Sequence, residues 1–205
     1  MSEGSQAGLN FRQELMQYMP QGIVSYDHNE AVNALAQGQV AMITEWSSFY
    51  STLADPATST LGDCLAVAPE PEGPAGRLPA LGGFSLAVAS QAPEDLQKAS
   101  WLFIQWATSE DIARAYVDAG GVSGRTAIYE DPEIKEKYQF VEPMVASWQK
   151  GVPEFRPRFP AWPAISEIVA EWGTKIMLGE VTVENGAKEI GQRMEQVLDQ
   201  DCLLY

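Results

Sequence analysis

Two collinear stretches constrain this chain more than anything else in it. Asn29–Tyr50 reads NEAVNALAQGQVAMITEWSSFY, and Leu81–Ser90 reads LGGFSLAVAS. The first predicts a short amphipathic helix, a glycine, an apolar strand and a tryptophan just past the strand end. The second predicts a double glycine and an aromatic leading into another apolar strand. Each sets an aromatic at one end of a strand, where α/β proteins usually build ligand clefts.

A chain of 205 residues, 45% of them apolar, can bury a true core and is not the composition of a disordered segment. The formal net charge of −15 argues against nucleic acid and against an anionic membrane surface, since both are gripped by Lys and Arg. A neutral ligand, or a protein with a basic face, is compatible with it. Most of the acidic residues are read as solvated helix faces. Cys64 and Cys202 fit no metal-binding spacing, and spacing alone does not decide whether they pair. The simple expectation is one buried thiol and one near the chain end. No apolar run reaches transmembrane length. Residues 1–10, MSEGSQAGLN, lack the apolar core of a signal peptide, so the expectation is a trimmed or truncated secreted chain, or a cytosolic one.

Along the chain, Gln6–Tyr18 predicts a helix stopped by Pro20-Gln21-Gly22, and Asn29 is placed to cap the next, with Gly38 at its left-handed C-terminal position. Gln39–Thr44 and Leu65–Ala68 read as strands, and Phe84–Ala89 as a strand buried on both faces. Pro69–Pro79 is a Pro/Gly-rich loop. Pro93, Glu94 and Asp95 open a helix whose Leu96, Ala99, Phe103 and Trp106 form an apolar stripe. Further helices start at Ser109 and Asp131-Pro132, the latter in doubt where Pro143 interrupts it. Gly151–Pro163 holds four prolines in thirteen residues, which predicts an extended segment. Ile165, Ile168, Trp172 and Ile176 mark a helix closed by Gly179. Thr182 caps a last one, with Ala187, Ile190, Met194 and Val197 toward the core. The resulting fold class is α/β.

The two opening stretches resemble the extracellular solute-binding proteins of ABC sugar importers (family 1), whose members carry a helix ending in G-x-V-A-M, a following tryptophan and then G-G-x-S-L-A. KASWLFIQWATSED at Lys98–Asp111, GGVSGRTAIYEDP at Gly120–Pro132, RPRFPAWPAISEIV at Arg156–Val169 and the terminal LGEVTVENGAKEIGQRMEQVL extend the likeness from about Gly8 to Leu198. The resemblance implies an incomplete type II periplasmic-binding-protein fold: the C-terminal lobe plus a small part of the N-terminal lobe. Residues 8–80 would belong to the C-terminal lobe, 81–128 would cross to the N-terminal lobe, and 129–201 would return. It implies a binding protein, not an enzyme, with a sugar, oligosaccharide or polyol as ligand, importer membrane subunits as partners of the full-length protein, and a periplasmic or extracellular location. No cofactor and no metal are expected.

A sugar site needs aromatic plates for the ring face and hydrogen-bonding groups for the hydroxyls. The ligand-binding candidates are Trp46, Gly83, Phe84, Arg125, Arg158 and Trp162. Family members often have a plate at the position of Trp46, tryptophan at that of Phe84, and an aromatic near the cleft at that of Trp162. The bland alternatives are a core tryptophan for Trp46, a hinge turn for Gly82-Gly83, and ion pairs for Arg125, Arg156 and Arg158. Trp101, Trp106 and Trp172 sit in or beside helical stripes and read as core. Trp46, Phe84 and Trp162 are expected on one cleft with Arg125 at its rim. His28, the only histidine, reads as a surface or capping residue. No nucleophile elbow, zinc-protease, P-loop or CxxC motif occurs. A second reading, in another class, is a truncated chain that self-associates and retains no ligand function. The association expected is a homodimer in which Leu81–Ile128 of one chain packs on the other. A carboxylate hydrolase is the remote third.

Overall fold

The computed structural model describes residues 2–200. Its helices are α1 (Glu3–Leu15), α2 (His28–Ala36), α3 (Tyr50–Ala54), α4 (Glu94–Ala107), α5 (Glu110–Asp118), α6 (Pro132–Lys137), α7 (Val141–Lys150), α8 (Trp162–Met177) and α9 (Val183–Gln200), with short 3-10 turns between several of them. They fall into two compact units, one of residues 30–155 and one of residues 2–29 with 156–200.

In the second of these units α1, α8 and α9 pack on one another. Ile176, Val183 and Ile190 form the centre, surrounded by Leu9, Ile168, Trp172, Val181 and Met194. The local signals are clear. Ser2 Oγ accepts the Ser5 N–H at the start of α1. Gly179, at φ 73°, ends α8 in the left-handed conformation that glycine tolerates best. Thr182 Oγ1 accepts the Asn185 N–H at the start of α9. Gln13 Nε2 donates to the Ile176 carbonyl at 2.8 Å, tying α1 to the last turns of α8.

The unit of residues 30–155 has two cores. The smaller joins Val32 and Ala36 of α2 to Leu53 of α3, with Ile43, Phe49 and Leu61 alongside. Gly38, at φ 68°, turns the chain out of α2. The helix begins not at an Asn29 cap but one step earlier, where Asp27 Oδ1 accepts the Asn29 N–H. The larger core gathers Ala113 and Val117 of α5, Ile128 and Tyr129 of the following turn, Ile134 of α6, and Phe140, Val141 and Met144 around the start of α7. Asp131 caps α6 through the Glu133 N–H, with Pro132 in the first turn. Pro143 does not break α7. It stands third in that helix, where its missing N–H would have had no intrahelical acceptor.

Three expectations need correction. The described residues contain no β-strand, only isolated bridges pairing Gly73 with Gly76 and Ala80 with Val152. The expected strands at 39–44, 65–68 and 84–89 therefore lack ladders, and the described residues are mostly helical. A strand is defined by its neighbour's N–H and C=O groups, and an apolar run specifies only a preference for burial. The 84–89 run is not buried on both faces either, since Phe84 is 95% exposed and Leu86 is exposed. Trp101 and Trp106 are likewise not core, as both lie exposed on α4. Lastly, Cys64 is exposed, not a buried thiol, and Cys202 lies outside the described residues.

One ion-pair cluster stands on the larger core. The Arg114 guanidinium contacts Asp131 and, at 2.9 Å, Glu133, while Lys137 reaches Asp118 at 2.7 Å. The hydrogen bond from Arg114, then the Glu133 N–H, hold the Asp131 carboxyl below its ordinary value of 3.8. Because the folded pKa is depressed, this stabilisation is complete above the unfolded pKa and is lost as the pH falls through the folded one. Thermal melts between pH 6 and pH 2.5 should therefore show Asp131→Asn less stable than the native chain at pH 6. The gap should close progressively below about pH 4. A gap that stays constant down to pH 2.5 would show that the carboxylate charge has no part in it.

Candidate functional site

The functional candidates divide between the two units. In residues 30–155, Trp46 follows an irregular apolar stretch and opens a 3-10 turn, where its carbonyl accepts the Phe49 N–H. Its own N–H donates to Glu45 Oε1 at 2.8 Å. The indole is 40% exposed and lies 5.9 Å, centroid to centroid, from the Phe84 ring at an interplanar angle of 49°. The two aromatics picked from separate motifs thus form one surface pair. A Cβ built on Gly82 would sit 3.8 Å from the Trp46 ring, an ordinary contact, and one on Gly83 would meet open space. Neither glycine has positive φ. The double glycine provides an uncluttered backbone beside the aromatic pair, not a strained turn.

Arg125 is exposed, but its Nε donates to the Thr108 carbonyl at the end of α4, and its N–H donates to Ser123 Oγ at 3.1 Å. The alternative to a ligand contact for it was an ion pair, and here the side chain bonds a backbone carbonyl. That satisfies a helix-terminal acceptor. Ser123 is in turn held by the buried Tyr129 hydroxyl.

In the other unit, Trp162 is not part of the extended segment. It is the first residue of α8, half-buried, with Pro163 beside it in the first turn, where proline's fixed φ suits a helix start. Trp162, Pro163, Ser166, Glu167 and Ala170 then recur along one helical face and, with Arg156, line an open groove of about 450 Å³. The groove offers what a small polyhydroxyl ligand uses: an indole, a hydroxyl, a carboxylate and a guanidinium. Ser166 and Glu167 were not anticipated from sequence. The spacing of 162, 166 and 170 would have revealed them had Pro163 been read as a helix opener. Arg158 is exposed on the segment before α8 and does not line the groove. A second groove, of about 460 Å³, lies between Gln6, Asn10 and Gln13 of α1 and the Gly179–Glu184 turn. Among the described residues no cluster of His, Cys, Asp or Glu could hold a metal ion, and no helix is long and apolar enough to cross a membrane.

Comparison with known proteins gives this geometry its setting. Residues 1–142 match the model of a family described as bacterial extracellular solute-binding protein. The chain is 28% identical over 159 residues to a Sinorhizobium fredii protein named "Probable amino-acid ABC transporter periplasmic-binding protein", covering 75% of this chain and 35% of that one. In structure it resembles maltose-bound MalE3 of T. maritima, with a TM-score of 0.87 and 25% identity over 96% of this chain and 51% of the other. It also resembles an ABC transporter solute-binding protein of Agrobacterium radiobacter in complex with ribitol, with a TM-score of 0.82 and 24% identity over 95% of this chain and 49% of the other. The chain thus spans about half the length of these structures and about a third of the curated relative. The family is one of binding proteins, not enzymes, and its fold is that of periplasmic binding proteins. With well over half its length matched by that family's model, the chain belongs to the bacterial extracellular solute-binding proteins.

Proposed function

We propose that this chain forms part of the substrate-binding component of an ABC importer, acting outside the cytoplasm on a sugar, oligosaccharide or polyol. The observation that carries the reading is the Trp162 groove: a half-buried indole at the start of α8, with Ser166, Glu167 and Arg156 around it. An indole face covers the apolar side of a sugar ring, and charged or hydroxyl groups bond its rim. The exposed Trp46–Phe84 pair, with the open backbone at Gly83, is a second stacking surface of the same kind. Arg125 and Arg158 are exposed donors available to hydroxyls near their own segments. The maltose complex of the similar MalE3 supports a neutral polyhydroxyl ligand. In the lobe assignment that follows, residues 8–80 and 129–201 belong to the C-terminal lobe of a type II fold and 81–128 to the N-terminal lobe.

One observation favours a second ligand class. Arg156 and Glu167 share the groove, and a guanidinium with a carboxylate could receive the two charges of an amino acid. The name of the Sinorhizobium relative points the same way.

Intrinsic tryptophan fluorescence, titrated with maltose, ribitol and a panel of amino acids, tests both. Saturable quenching or a spectral shift is expected with a polyhydroxyl ligand. Trp162→Ala should weaken it by up to about 10-fold, since an aromatic contact of this kind amounts to about 0.5–1.5 kcal/mol beyond its buried area. Saturation only by amino acids would favour the second class. No saturable response to any of them, from a folded chain, would leave self-association without ligand function as the better description.

A further inference from the structure

Of the asparagines at positions 10, 29, 33 and 185, only Asn185 is followed by glycine. An Asn-Gly pair is ordinarily a turn signal. Here it lies inside a helix, in the first turn of α9. Asn-Gly is also the asparagine pair most prone to rearrange. Glycine has no Cβ, so its backbone nitrogen approaches the preceding side-chain amide unhindered.

The fold holds that nitrogen away from the amide. The Gly186 N–H donates to the Thr182 carbonyl at 2.9 Å. This is the ordinary helical bond, and it aims the N–H along the helix axis. The N–H of Asn185 donates to Thr182 Oγ1 at 3.2 Å, so Thr182 fixes both residues of the pair. Gly186 is buried, and a Cβ built on it would lie 2.6 Å from Ile176 Cδ1 and 3.3 Å from Val181 Cγ2. Val183 and Ala187, on either side of the pair, are buried as well. All of these contacts are made within the α1–α8–α9 unit.

We propose that Asn185 is a site of spontaneous deamidation gated by the first turn of α9. Docked on Ile176, the turn keeps the amide intact, and each opening of the turn lets the ring close. In the open turn the Gly186 nitrogen attacks Asn185 Cγ. A C–N bond forms, the Cγ–NH2 bond breaks, and ammonia leaves with the proton of the Gly186 N–H. Water then opens the cyclic imide at either carbonyl, with no change of oxidation state. Opening at Cγ gives aspartate, which the first turn of a helix accepts, since its dipole favours a carboxylate there. Opening at the main-chain carbonyl gives isoaspartate, which routes the backbone through the side chain and adds a methylene to it. The helical bond to Thr182 and the close approach of Gly186 to Ile176 cannot both survive that insertion. The second product therefore prevents the turn from docking again. The inference is independent of which solute, if any, the chain binds.

Incubation of the whole chain at mildly alkaline pH tests it, with peptide mapping by mass spectrometry and an isoaspartyl methyltransferase assay as readouts. Asn185 should deamidate about 10-fold or more slowly in the native chain than in urea, as a turn that is mostly closed requires. Thr182→Ala should speed the native reaction about 5-fold, the shift in an opening equilibrium that follows the loss of one cap. Thr182→Ser keeps the hydroxyl and should restore the slow rate. Tyr129→Phe, in the unit of residues 30–155, should leave the rate unchanged. Asn185→Asp should melt with the native chain, while the isoaspartyl fraction of an aged sample melts lower. Equal rates in buffer and in urea overturn the proposal. So does a Thr182→Ala rate no faster than that of Thr182→Ser, or a Tyr129→Phe rate as fast as that of Thr182→Ala, which would route the reaction through unfolding of the whole chain.

Discussion

Truncating Ile176 to alanine is expected to destabilise the α1–α8–α9 unit by about 3 kcal/mol, within the range of about 2–5 found for buried Ile-to-Ala changes. Ile176 is fully buried between Val183 and Ile190, with Leu9, Ile168 and Trp172 against the cluster. The site has little room to relax, because the side chain rests on a glycine: a Cβ built on Gly186 of α9 would lie 2.6 Å from both Ile176 Cδ1 and Cγ1. Glycine at that point lets two helix backbones approach, and isoleucine fills the gap between them. The pair should therefore be strongly coupled. Gly186→Ala alone should also destabilise, by about 1–3 kcal/mol, since overpacking forces the helices apart. In the Ile176→Ala background the same methyl enters the cavity and should cost little or nothing. Denaturant unfolding followed by tryptophan fluorescence, to which Trp172 of this cluster contributes, measures all four corners of the cycle. Simple additivity of the two losses would disprove the contact. The consequence reaches function, because α8 carries Trp162, Ser166 and Glu167, and undocking it disassembles the groove.

Much of what a few neighbouring residues decide was legible in the sequence, and most of what needs a distant partner was not. Gly38 and Gly179 adopt positive φ where helix ends were expected. Thr182 caps α9 and Asp131 caps α6, because a cap is satisfied within three residues of itself. Burial is different. Phe103 and Trp106 have the spacing of a core stripe, yet what they would pack against is not written in α4. The same holds for the 84–89 run, whose apolar residues imply a neighbour that the described residues do not supply. Proline was misread for a related reason. Pro163 breaks a helix when it falls inside one and favours a helix when it falls at the start, and only the observed start at Trp162 distinguishes these. That single ambiguity hid Ser166 and Glu167. The Trp46–Phe84 pair illustrates the opposite case, since two motifs 38 positions apart each contributed an aromatic and the rings lie 5.9 Å apart.

Removing one oxygen from Tyr129 should be felt out of proportion to its size. Tyr129 is 1% exposed, its ring edge-on to Trp148 at 5.4 Å. Its hydroxyl accepts the Ser123 N–H at 2.6 Å and donates to the Ser123 carbonyl at 3.1 Å. Ser123 is itself buried, so Tyr129→Phe strands a backbone donor and a backbone acceptor away from water. Each stranded group costs about 1–3 kcal/mol, and relaxation of the loop toward solvent sets the net loss near the lower half of their sum, about 2–3 kcal/mol. Tyr129→Ala should lose more, about 3–5 kcal/mol, by emptying the space beside Trp148 and Met144 as well. A second measurement separates the hydroxyl from mere packing. Burial, partly offset by the Ser123 hydrogen bond, raises the phenol above its ordinary value of 10.0. A raised folded pKa means that the contribution is complete below the unfolded value and is lost as the pH rises through the folded one. The native chain should therefore lose stability above about pH 10 more steeply than Tyr129→Phe, which has no proton to lose there. Identical alkaline melts for the two would mean that Tyr129 ionises as freely folded as unfolded, and that the hydroxyl does not hold the Ser123 turn. If it does hold it, the loss extends to Arg125, whose N–H rests on Ser123 Oγ and whose guanidinium bonds the end of α4.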